Sequence, residues 1–246
     1  MEEEEMTRKV FCLRLSKRIS NPNIKRMKIS PEEAERLRYG SDPSPYGNPM
    51  FGYVDESGDL GINPRSSEVL TTSGVFTDRP MDLIDIESWY PKNSRHVPDA
   101  NDELKFSTSE AEITESYLDD LIRTGAKIYI VSTMKGPGKT RNGKGLLLSN
   151  LEEVVRSAYL DHDGPLILIF DRHTAFNQED AYRMCNDIDE SIQCLKHDGD
   201  STLIPELAAP DMVSGGFRYH TRTDIDKNER EKFRKILDKR SKMIER

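Results

Sequence analysis

Apolar and polar positions follow two rhythms along the chain, and the switches between them mark the elements. Met50-Phe51-Gly52-Tyr53-Val54 is a short apolar run closed by Asp55-Glu56-Ser57-Gly58-Asp59, which predicts a buried strand ending in a turn. Val69 to Phe76 is rich in β-branched residues and predicts a second strand, close enough to the first to form a hairpin. Residues 78–102 are polar without a clear period and read as a loop, and Glu103-Leu104-Lys105-Phe106 as a brief extended piece. From Ser109, with Glu112 at capping-box distance, Ile113, Tyr117 and Leu121 recur at helical spacing until Gly125. Lys127 to Ser132 predicts a third strand, followed by a loop rich in Gly, Lys and Arg over 135–145. Leu147, Leu151, Val154, Val155 and Ala158 then share one helix face. Leu166-Ile167-Leu168-Ile169-Phe170 is continuously apolar, suits a strand buried on both faces, and ends in Asp171. Ala181, Met184, Cys185, Ile188 and Ile192 predict a further helix, and another runs from about Glu206 to Tyr219.

The ends read differently. Val10 to Leu15 alternates as a short strand would. Ser30-Pro31-Glu32-Glu33 sets Pro at the first helical position behind a Ser cap, so a helix is expected to about Arg38. Gly40 to Pro49 is dense in turn residues and predicts a linker. Residues 224–246 read as a charged helix with a thin stripe of Phe233, Ile236, Leu237 and Ile244. The expected division is an N-terminal extension and linker over 1–48, a core domain over 49–220, and a basic C-terminal helix over 221–246. Strands alternating with helices behind a hairpin indicate an α/β domain with a mixed sheet.

Composition adds constraints to this outline. With 33% charged against 35% hydrophobic residues, no run approaches the roughly 18 apolar residues of a membrane span, so no membrane partner is expected. The start, Met1-Glu2-Glu3-Glu4-Glu5, has no apolar stretch behind it and does not read as a signal peptide. Cys12, Cys185 and Cys194 have neither metal-knuckle spacing nor an even count, which favours a reducing cytoplasm. The net charge of −8 conceals a division: residues 1–45 carry +2, residues 218–246 carry +5, and residues 46–217 carry −15. An acidic body between basic ends fits a solvated acidic surface, or carboxylates gathered on a cation with basic segments for a polyanion.

Two apolar strands end in an aspartate, Asp55 and Asp171. Carboxyl ends of central strands in an α/β sheet are where ligand groups collect. Two such carboxylates side by side repel unless a proton or cation separates them, and oxygen ligands favour Mg²⁺ or Mn²⁺. Each alone also suits a turn or helix cap. Asp211 lies among small and apolar residues in Ala208-Ala209-Pro210-Asp211-Met212-Val213-Ser214-Gly215-Gly216, where a charge needs a partner. Its bland alternative is a first-turn residue satisfied by its own helix's amides. Glu103 and Lys105 would share one face of an extended segment.

Tyr53-Val54-Asp55-Glu56-Ser57-Gly58-Asp59 resembles the opening signature of the domain-of-unknown-function family 3800. The strand ending in Gly74-Val75, Glu103-Leu104-Lys105-Phe106, the strand with Asp171, and Asp211-Met212-Val213-Ser214-Gly215 follow in the family's order, over about residues 50–220. The approach Ile204-Pro205-Glu206-Leu207-Ala208-Ala209-Pro210 departs from that family's Gln- and Ala-rich segment. The resemblance implies a ribonuclease H-like fold: a five-stranded mixed sheet, its first three strands antiparallel, flanked by helices. It further implies an acidic site carried by Asp55, Asp171 and Asp211, with Glu103 or Glu56 as a fourth member. The expected chemistry is phosphodiester hydrolysis with two Mg²⁺ or Mn²⁺ ions. Asp55, Asp171 and Asp211 would be the metal ligands, with Lys105 meeting the phosphate or pairing with Glu103.

Other motifs weigh less. Gly138-Lys139-Thr140 ends like a P-loop, but the first glycine would fall at Thr133, so that reading is rejected. Lys135, Lys139, Arg141 and Lys144 instead form a candidate basic arm for nucleic acid, or an ordinary solvated loop. Ser57 stands where a phosphatase of the Asp-x-Asp type needs its second acid. His173, two residues beyond Asp171, reads as an assistant or a structural histidine. The leading expectation is a cytoplasmic metal-dependent nuclease acting on nucleic acid. The alternative is a non-catalytic ribonuclease H-like module that binds nucleic acid or a partner protein, and a dimer is compatible with either.

Overall fold

The computed structural model describes residues 29–61, 67–93, 104–135, 143–221, 231, 235–237 and 241–245. Its strands are β1 (Met50–Ser57), β2 (Val69–Thr77), β3 (Lys127–Met134), β4 (Leu166–Asp171), β5 (Ile192–Gly199) and β6 (Ser241–Glu245). They form one sheet in the order β5-β4-β1-β2-β3-β6. The hairpin forms as expected: β1 pairs antiparallel with β2, and β2 antiparallel with β3. On the other side β4 runs parallel to β1, and β5 parallel to β4. The first five strands form a mixed sheet with its first three strands antiparallel, the arrangement that the resemblance implies. The sixth was not expected, because the charge-rich tail reads as helix by its spacing; in the fold, 241–245 pairs parallel with the outer edge of β3.

Helices cover both faces of the sheet. They are α1 (Pro31–Arg38), α2 (Pro80–Asn93), α3 (Ala111–Arg123), α4 (Gly143–Leu160), α5 (Gln178–Ile188) and α6 (Ala208–Thr221). The alternation of strand side chains decides what each face meets. Phe51, Tyr53, Ile167 and Ile169 share a buried cluster with Leu37 of α1, Leu83 of α2, Leu118 of α3 and Val213 of α6. Val54, Phe76, Leu168 and Phe170 point the other way, to Leu147 and Val154 of α4 and Met184 of α5. A strand apolar at every position before its last, as β4 is, needs both layers.

Several elements differ from expectation. The segment read as a loop contains α2, whose Leu83 and Tyr90 lie two turns apart and are both buried. Tyr90 donates a hydrogen bond to Asp120 at 2.9 Å and packs edge-on against Tyr117. The helix expected to include Ile192 stops at Ile188, and β5 begins at Ile192 with Ile192 and Cys194 buried in alternation. Helix α3 takes Glu110 as its N-cap with no side-chain cap bond, so the Ser109 capping box does not form.

Helix α1 has the expected capping box, Ser30 with Glu33. It is not a loose appendage, however. Ile29, Ala34 and Leu37 lie inside the main core, so residues 29–38 belong to the packed unit and the boundary expected at 48 falls within it. The strand read at Val10–Leu15 lies outside the described residues.

Candidate active site

Strands β1 and β4 set two carboxylates next to each other. Their parallel register pairs Val54 with Phe170, so Asp55 and Asp171 occupy the next position on neighbouring strands. Such strands run about 4.8 Å apart. Alternation places both after Tyr53 and Ile169, on the face covered by α6.

Helix α6 brings Asp211 to that face. Ala208, Ala209, Val213 and Ser214 are small and buried, which lets the helix approach β1 and β2 closely. Ser73 of β2 donates its hydroxyl to the carbonyl of Pro210 at 2.7 Å, pinning the first turn. The Asp211 carboxylate accepts the backbone N–H of Phe106 at 2.8 Å. A separate segment thus supplies a partner to this carboxylate. The Phe106 ring lies against Gly215, where an added Cβ would stand 2.2 Å from the ring carbon Cγ. Glycine at 215 thus fixes the distance between the 106–108 turn and α6.

The electrostatics follow from this crowding. Asp55 is only 6% exposed. Burial raises its pKa well above the usual carboxylate range, and the charges of Glu56, Asp211 and Asp171 raise it further. The Glu56 N–H, 2.7 Å from Asp55 Oδ1, opposes that rise. Glu56 is pushed up to about 8, first by burial and then by Asp171 and Asp211. Glu56, named in the sequence only as one choice for a fourth member, thus belongs electrostatically with the three aspartates. His173 Nε2 stands 3.6 Å from Glu56 Oε1, while its Nδ1 accepts the Ala175 N–H at 3.0 Å. Burial lowers the His173 pKa.

The remaining candidates separate. Glu103, Lys139 and Arg141 lie outside the described residues. Lys105 is exposed and extended at the start of the Phe106–Thr108 turn, next to the amide that holds Asp211. Lys135 is not part of an open basic arm: its ammonium donates to the carbonyls of Asp59 at 2.7 Å and Gly61 at 2.9 Å. Lys144 pairs with Asp180 at 2.7 Å. Both lysines have carboxylate or carbonyl partners within the fold, which a reading of loop composition cannot reveal. A contact missed in the sequence is Arg218 Nη1 donating to Ser57 Oγ at 3.2 Å.

An all-oxygen set of carboxylates suits a hard divalent cation, and like charges this close are relieved either by such a cation or by a proton. Among the described residues, no three His, Cys, Asp or Glu side chains are yet drawn together as a metal-holding group. Hydrogen bonds from Glu56 N–H to Asp55 and from Phe106 N–H to Asp211 hold those two carboxylates on separate partners.

No protein-family model matches the chain, and no curated protein does. Among solved structures it is similar to a chain of the PCNA:RNase HII complex from Archaeoglobus fulgidus, with 12% identity and a TM-score of 0.45. That match covers 77% of this chain and 76% of the other. A mutant Bst-RNase HIII gives 12% identity and a TM-score of 0.38 over 67% of this chain, which spans half of that protein's length.

Proposed function

We propose that this chain is a metal-dependent nuclease that hydrolyses phosphodiester bonds of nucleic acid. Asp55, Asp171 and Asp211 would hold the divalent cations, with Glu56 as the fourth carboxylate. Bound Mg²⁺ or Mn²⁺ would supply an activated water and stabilise the leaving oxygen. The observation that carries this reading is the parallel register of β1 and β4, which sets the buried Asp55 beside Asp171 on the face that α6 covers with Asp211. A fold gains no stability from gathering like charges out of water, so their grouping favours a functional reason. In this reading the Phe106 amide orients Asp211, and β1 and β4 hold Asp55 and Asp171 in fixed register. Lys105 would line the approach of the phosphate.

The test is cleavage of single- and double-stranded DNA, RNA and RNA–DNA hybrids with and without Mg²⁺ or Mn²⁺. Cleavage that needs the cation and is lost in Asp55→Asn is expected. Cleavage unchanged by that substitution would sink the mechanism, and binding without cleavage would make the chain a non-catalytic module.

A further inference from the structure

A polar row crosses the sheet beneath α4. Alternation turns Thr133 of β3 to the side of Val131, Thr72 of β2 to the side of Leu70, and Glu56 of β1 to the side of Val54, all within the apolar cluster that α4 covers. The register sets Thr72 opposite Glu56 on one side and opposite Val131 on the other, with Thr133 two residues beyond Val131. Directly opposed side chains of such strands stand about 4.5–5.5 Å apart at Cβ. Glu56 therefore leaves β1 on the face away from Asp55, and whatever fixes its side chain has to come from the α4 layer.

Two contacts locate α4 over this row. Val154 lies on Gly74 of β2, where an added Cβ would stand 2.6 Å from Val154 Cγ1. One turn back, about 6 Å along the helix axis, Asn150 Oδ1 accepts the hydroxyl of Thr133 at 2.9 Å. Thr72 stands two residues back from Gly74, about 6.7 Å along β2, and Leu70, which pairs with Thr133, two further. Asn150 thus sits beside Thr72. The two residues are 1% and 0% exposed, and among the described residues Asn150 Nδ2 and Thr72 Oγ1 have no hydrogen-bond partner. A buried donor left unsatisfied costs about 1–3 kcal/mol, so apolar residues would serve this cluster better. The acceptor on the row is the Glu56 carboxylate, which His173 Nε2 faces at 3.6 Å.

We propose that Asn150 and Thr72 are positioning residues that hold the Glu56 carboxylate for the cation through one bridging water. This rests on the nuclease reading above, in which Glu56 is the fourth carboxylate, and adds α4 as the layer that orients it. Carboxylates that bind a metal are themselves hydrogen-bonded, and losing such support costs about 10- to 100-fold in metal affinity.

The test is the concentration of Mn²⁺ at which the melting temperature of the full chain rises, measured without nucleic acid so that binding is read apart from turnover. Thr72→Val keeps the side-chain shape and removes the hydroxyl, and Asn150→Leu removes the amide. Each is expected to need about 10- to 100-fold more Mn²⁺ than the parent. In a Glu56→Gln background neither adds a further loss, which separates action through Glu56 from a general loosening of the core. Parent-like Mn²⁺ dependence in either folded variant, or the full loss retained in the Glu56→Gln background, would overturn the positioning role and leave the nuclease reading standing. A parent chain whose melting temperature no concentration of Mn²⁺ moves removes the metal reading and the positioning role together. Should Asn150→Leu fail to fold, Thr72→Val decides by the same comparison.

Discussion

Arg38 grips Glu206 at two points, its Nε and Nη2 each 2.5 Å from a carboxylate oxygen, with both side chains removed from water. The Tyr53 hydroxyl donates to the same carboxylate at 3.0 Å. Burial alone would lower the pKa of the guanidinium, but the hydrogen bond to Glu206 and its charge outweigh that and raise it. One contact therefore ties α1, the strand that carries Asp55, and the turn that leads into α6. Breaking one side of a buried pair leaves an uncompensated charge, which costs about 3–5 kcal/mol. Arg38→Ala is expected to lose that much in denaturant unfolding. Combined replacement by Arg38→Met, Glu206→Leu and Tyr53→Phe should lose far less. A small loss in Arg38→Ala alone would show that the Arg38–Glu206 pair contributes little to holding α1 in place.

The crowded carboxylates make stability depend on pH. Glu56 has a folded pKa of about 8, above its ordinary value of 4.5, and Asp55 is raised as well. Between those values the folded protein holds more protons than the unfolded chain, so stability is full below about pH 4.5 for Glu56 and falls as pH rises towards 8. The limit is about 1.4 kcal/mol per pH unit for each extra proton. Unfolding midpoints measured from pH 5 to 8.5 should decline through this window. Asp55→Asn should flatten the decline and raise stability at pH 8, as should added Mg²⁺ if the carboxylates take the cation. A rise in stability from pH 5 to 8 would contradict the repulsion.

Gly215→Ala sets two effects against each other. Alanine is the better helix former by about 1 kcal/mol. Its methyl would however lie 2.2 Å from Phe106 Cγ and 2.6 Å from Phe106 Cβ, too near the backbone for a rotamer change to relieve. Overpacking of this kind costs about 1–3 kcal/mol, so a net loss is expected, with displacement of the Phe106 amide from Asp211. The double variant Gly215→Ala, Phe106→Gly, which removes both the ring and the Cβ from the contact, should recover helix stability. Greater stability in Gly215→Ala alone would show that the turn yields freely.

Hydrophobic rhythm made β1, β2, β3 and β4 legible, because central strands are apolar over most of their length and end abruptly in polar residues. Edge strand β5 was hidden: Ile192 stands four residues after Ile188, so it continues a helical spacing, while Lys196, His197 and Asp198 dilute the strand pattern. The carboxylates at strand ends could be named because Asp55 and Asp171 close apolar runs. Asp211's partner could not, since the Phe106 N–H is a main-chain group supplied from 105 residues away. Nor could the fates of Lys135 and Lys144, whose partners are set by how the loops fold back rather than by their own composition.

The pairing of Ser241–Glu245 with β3 bears on how this molecule behaves in company. A sheet's last strand presents unpaired N–H and C=O groups that can recruit a neighbouring chain. At one border, β5 meets that hazard with Lys196 and an irregular register against β4. Towards the other, β3 carries Ile128, Tyr129, Ile130 and Val131, an apolar run that would be the border without β6. Ser241–Glu245 covers that run and moves the border to a five-residue strand whose sequence includes Lys242 and Glu245. Trimming the chain at 240 would replace a short, charge-bearing margin by a longer apolar one, so solubility on concentration, rather than catalysis, is where loss of the tail would first be felt.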